Sequence, residues 1–81
     1  MPRLIVPVVP RRADVSIPGL GTNVPFKLLS EKRVTKAVRD ALRTLYGADR
    51  VAVSCDAHVS GEQWSGRCWI DDQQYEYRLH P

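Results

Sequence analysis

From Arg50 to His80 apolar and polar residues alternate with the period of a half-buried strand. In Val51-Ala52-Val53-Ser54-Cys55-Asp56-Ala57-His58-Val59 every second residue is apolar, and the pattern resumes from Trp64 to Ile70 and again through Tyr75, Tyr77 and Leu79. Ser60-Gly61-Glu62-Gln63 offers a two-residue loop with glycine first, suited to a type II′ hairpin turn, and Asp71-Asp72 supplies a second tight turn. With those turns the inward rows are Val59, Trp64, Leu79; Ala57, Gly66, Tyr77; and Cys55, Cys68, Tyr75. Gly66 has no side chain, so Tyr77 is expected to lie across it and seal the sheet.

Between Glu31 and Tyr46 the period changes. Val34, Ala37, Val38, Ala41, Leu42, Leu45 and Tyr46 fall on one face of an α-helix. Ser30 suits the N-cap, and Gly47 sits where a left-handed C′ residue belongs. Ahead of the helix, the apolar run Leu4 to Val9 is interrupted by Pro7, which lacks the N–H of a central strand, so an edge strand or packed arm is expected there. Ala13 to Ile17 alternates and suggests a hairpin partner for it. Pro18 to Pro25 is a breaker-rich loop, and Phe26, Leu28 and Leu29 are expected to plug the core. The fold class predicted is α+β in a single domain, 1–81. One amphipathic helix packs on an antiparallel three-stranded meander, with an N-terminal edge strand or short hairpin. The parts are strand or arm and loop over 1–29, helix over 30–47 and meander over 50–80.

Composition adds modest constraints. The chain is 43% hydrophobic and 26% charged, ordinary for a soluble globule, and no apolar run approaches the ~18 residues of a membrane span. No signal peptide is discernible, since the first apolar run is short, broken by Pro7 and followed by Arg11-Arg12; a cytoplasmic location is expected. The formal net charge of +3 leans toward an anionic partner.

Catalytic chemistry finds little support. Cys55 and Cys68 fall opposite each other at a non-hydrogen-bonded pair, close enough to bond, but two packed free thiols are the expectation in a reducing cytosol. Cys55 and His58 are three apart on a strand and face opposite sides, which argues against both a zinc site and a Cys–His pair. Asp71-Asp72 is turn chemistry, and Gly19-Leu20-Gly21 lacks the rest of a phosphate-binding loop. No enzyme activity, catalytic residue, metal or cofactor is expected.

Two features exceed this background. Lys32, Lys36, Arg39 and Arg43 fall within an arc of about 60° on the helix, opposite the apolar stripe. Lys32 and Arg33 also occupy the first turn, where the macrodipole disfavours cations. On the outer face of the meander, Asp56, Arg67 and Glu76 form one cross-strand row, and His58, Ser65 and Arg78 the next. Trp69 lies on that face beside Arg67, either covered by the N-terminal strand, which is the first expectation, or available as a binding anchor or base-stacking platform. The candidate binding residues are therefore Lys32, Arg33, Lys36, Arg39, Arg43, Arg67, Trp69 and Arg78. The leading function is a small non-enzymatic binding module engaging nucleic acid or a nucleoprotein complex through the basic helix face. The alternative is a protein-binding regulator or inhibitor gripping an acidic protein surface, of the kind that phages and plasmids encode against host defence complexes; that analogy is one of size.

Overall fold

A computed structural model of the 81-residue chain describes residues 2–7, 12–20 and 24–81. Parts of the N-terminal run, of the turn after it and of the glycine-containing loop fall in residues 8–11 and 21–23, outside the described residues. Strands β1 (Arg3–Val6) and β2 (Ala13–Ser16) come first. A 3-10 turn at Phe26–Leu28 and helix α1 (Glu31–Tyr46) follow. The chain ends in β3 (Val51–Cys55), β4 (His58–Ser60), β5 (Gln63–Ile70) and β6 (Gln73–His80).

Among the described residues the strands join one antiparallel sheet of six in the order β2-β1-β6-β5-β3, with β4 also pairing β5. This corrects the expectation of one helix on a three-stranded meander: the protein is mostly sheet, and its N-terminal hairpin is built into that sheet. The physical reason lies at Pro7. β1 ends at Val6, so the proline costs no ladder hydrogen bond; Leu4 is buried between Leu79 of β6 and Val15 of β2, and Val6 is buried beside Ala13 of β2. β2 takes the edge expected of β1.

The hairpin register holds where it depends on the turns. Ser60 pairs Gln63, Val59 pairs Trp64, and Trp64 in turn pairs Leu79. Gly66 pairs Tyr77 and Cys68 pairs Tyr75. Gly61 adopts φ 61°, and both Asp71 (φ 51°) and Asp72 (φ 66°) are left-handed, as two-residue hairpin loops require. Toward its start the first strand departs from the regular ladder. Cys55 pairs Cys68 but Val51 pairs Ile70, so extra residues are accommodated between them, and Asp56 and Ala57 belong to no strand.

Helix α1 starts on Ser30, whose hydroxyl accepts from the Arg33 N–H at 3.2 Å, and stops at Gly47, φ 102°, whose N–H donates to the Arg43 carbonyl. Val34, Val38, Leu42 and Tyr46 are buried in one cluster with Leu4, Val6, Trp64, Cys68, Ile70, Tyr77 and Leu79. The Trp64 indole N–H donates to the Phe26 carbonyl at 2.9 Å, tying the approach to the helix onto β5. Leu29 is buried and Phe26 half-buried, but Leu28, expected in the core, is 68% exposed.

Candidate functional site

The helix covers the sheet face that carries Trp64, Cys68, Tyr77 and Leu79; alternation along β5 and β6 sends Arg67, Trp69, Glu76 and Arg78 to the other face. The eight candidate binding residues therefore divide into two surfaces on opposite sides of the molecule.

On the helix, Lys32, Arg33 and Lys36 are exposed, whereas Arg39 and Arg43 are half-buried with their Nε atoms withdrawn from solvent. Long aliphatic stems let both arginines pack along the flank turned away from β2. Lys32, Arg33, Lys36 and Arg43 take part in none of the ion pairs among the described residues. Five cations and two carboxylates, Glu31 and Asp40, lie between Glu31 and Tyr46. Five less two is +3, the formal charge of the whole chain, so the remaining residues balance to zero.

The outer sheet face is open and charge-balanced. A groove of about 310 Å³ runs over it, with Asp56, His58, Ser65, Arg67, Glu76 and Arg78 among its walls. The second expected row is present, with Ser65 between His58 and Arg78; in the first, Arg67 pairs Glu76 while Asp56 lies off the ladder and meets Arg67 irregularly. Trp69 pairs Gln74 and is 41% exposed; β1 lies beside β6 within the sheet and does not cover it, which corrects the first expectation for this residue.

Asp56 is the pivot of this groove. Its N–H donates to the Arg67 carbonyl at 3.1 Å, but the Arg67 N–H donates to the Asp56 carboxylate at 2.7 Å rather than to its carbonyl. The freed carbonyl accepts from the Tyr77 hydroxyl at 2.6 Å. A side chain thus replaces one backbone acceptor, and the carboxylate also sits 3.7 Å from Arg67 Nε. Burial, followed by the negative charges of Asp56 and Glu31, holds the Tyr77 phenol well above its ordinary range, so it stays protonated and donates.

Cys55 and Cys68 form a disulfide across the pair, with Cα atoms 4.5 Å apart. This corrects the expectation of free thiols, and the reason is geometric: the narrow pair that makes the two residues neighbours also meets the span a bridge needs. His58 lies exposed on β4, so neither cysteine is a free thiol partner for it. No helix among the described residues is long and apolar enough to cross a membrane.

A third surface had no place in the reading of the sequence. Only four of the seven apolar helix positions are buried; Ala37, Ala41 and Leu45 are half-buried, facing a channel whose other wall is Val15 and Ile17. The width of the apolar stripe was the available signal. No protein-family model matches the chain, nor does any curated protein or solved structure.

Proposed function

We propose that the chain is a non-enzymatic binding module whose basic helix face engages nucleic acid or a nucleoprotein complex. The observation carrying this reading is the segregation of charge: the helix holds the molecule's whole positive excess, while the rest of the chain is balanced. A polyanion is attracted to such a face without unpacking the core, because the cations lie away from Val34, Val38 and Leu42. The alternative, an inhibitor gripping an acidic protein with Trp69 as its hot spot, is less well supported. Trp69 and the helix cations look in opposite directions, so one flat partner does not meet both.

Titration of a labelled duplex of about 20 base pairs at several salt concentrations tests the proposal. Each neutralised phosphate contributes a slope of about -0.9 in log K against log salt, so the three exposed cations give about -2.7 and all five about -4.5. A slope near zero, or no binding at low salt, rejects the nucleic-acid reading. A cytoplasmic location belongs to the same proposal, and in that compartment thiols are kept reduced. Alkylation before lysis tests that location separately from DNA binding: labelled cysteines would place the protein in a reducing compartment, and an intact Cys55–Cys68 bond in an oxidising one.

A further inference from the structure

The N–H of Ile17 donates to the Pro2 carbonyl at 2.8 Å, and Leu4 pairs Val15. Alternation along an antiparallel pair then turns the N–H and C=O groups of Asp14 and Ser16 to the outer edge of β2, where no described strand pairs them. The opposite edge of the sheet is interrupted by the break at Asp56 and Ala57 and stapled by the disulfide, whereas β2 carries neither device. Asp14 does bear a charge, but its carboxylate is engaged by Arg3 on the outer face.

Beside this edge, on the helix side, runs the channel noted above. It consists of two hollows of about 380 and 360 Å³ that share Ile17, Pro18, Ala37 and Asp40, so they form one continuous groove along the helix flank. The first is apolar, between Val15 and Leu45; the second opens beside Arg33 and Lys36. An open strand edge and an apolar channel alongside it are the two elements of strand addition, in which backbone pairing supplies affinity and alternate side chains supply selectivity.

We propose that β2 and this groove bind an extended segment of a partner protein, apolar at alternate positions and acidic at its amino-terminal end. Antiparallel pairing with Asp14 and Ser16 sends every second side chain of the segment toward Val15, Ala41 and Leu45. It also brings the start of the segment toward Arg33 and Lys36, whose charge is complementary to carboxylates. Asp40 stands on the rim between the two halves, so the residue passing it is uncharged. This surface shares Arg33 and Lys36 with the basic helix face, but the β2 edge and the apolar channel call for a peptide rather than a nucleic acid.

The probe is a soluble nine-residue peptide with two amino-terminal acidic residues followed by alternating valine and threonine, titrated into the full chain and followed by amide chemical shifts. Shifts are expected at Asp14, Ser16, Ala41 and Leu45, and a lysine-for-acid peptide is expected to bind at least tenfold more weakly. Ser16→Pro removes an outward N–H without breaking a bond to β1 and is expected to weaken the acidic peptide at least tenfold while leaving DNA binding unchanged. Ala37→Glu, a helix-compatible change that places a carboxylate in the channel, is expected to do the same to the peptide and guards against misfolding of the proline variant. Shifts confined to the Trp69 face, no shifts at all, or affinity indifferent to both variants would overturn the proposal. Sedimentation showing a dimer that Ser16→Pro dissociates would also overturn it, giving the edge to a second copy of this chain.

Discussion

Gly66 is where one missing side chain organises the sheet. An ideal Cβ there would stand 2.0 Å from the Asp56 carbonyl oxygen and 2.8 Å from the Tyr77 hydroxyl. The first neighbour is backbone and has nowhere to go, so Gly66→Ala is expected to destabilise by about 3 kcal/mol, the upper part of the overpacking range. Urea unfolding measures this. Tyr77→Phe removes the donor to the Asp56 carbonyl and is expected to cost roughly 1 kcal/mol with no change in m-value. The sequence places Tyr77 across Gly66, because parity and turn length determine which residues face each other. The Asp56 carbonyl was not legible: its approach depends on a carboxylate substituting for a backbone acceptor, and nothing in the alternation announces that substitution.

Among elements, those built from local chemistry were the readable ones. Ser30 acts through a hydroxyl three residues from its donor, Gly47, Gly61 and Asp71-Asp72 through their own backbone geometry, and the helix and hairpins begin and end there. Asp72 occupies a left-handed conformation, φ 66°, that glycine adopts without strain, so Asp72→Gly is expected to stabilise by about 0.5 to 1 kcal/mol, read from the urea midpoint. Asp71 differs, because its carboxylate accepts from Arg50 Nε at 3.0 Å. That hydrogen bond, opposed by partial desolvation and aided by the Arg50 charge, holds the Asp71 carboxyl below its ordinary value. A depressed folded pKa contributes stability that is complete above the unfolded value, near 4, and is lost as pH falls through the lower folded value. Stability in acid should therefore decline less steeply for Asp71→Asn than for the parent, as denaturation followed from pH 5 downward would reveal. The disulfide joins β3 to β5 across a separation of 13 residues, and its reduction is expected to lower stability by at most about 3 kcal/mol, since the hairpin turn already holds the ends together. The seat of β1 and the irregularity in β3 were hidden for a common reason: both are decided by contacts distant in sequence. Pro7 could be weighed only as if it lay inside the strand, and the ladder from Ser60 gave no sign of where it would slip.

At the scale of the molecule, the sheet separates two surfaces that the sequence could only name together. Composition reveals the excess of +3, helical spacing assigns the stripe and strand alternation turns Trp69 to the outer face, but none of them shows that β1 leaves Trp69 41% exposed. Nor does spacing show that Arg39 and Arg43 lie half-buried while Lys32 and Lys36 stand clear. That difference selects the variant for the most direct measurement. Fluorescence anisotropy of a duplex of about 20 base pairs, at about 50 mM salt where phosphate contacts are strongest, is compared for the parent and for Lys32→Glu combined with Lys36→Glu. Both lysines are exposed and outside the core cluster, so the unfolding midpoint should stay nearly constant while DNA binding is lost. Wild-type affinity in the doubly reversed protein, with its fold intact, would contradict nucleic-acid binding through the basic helix face.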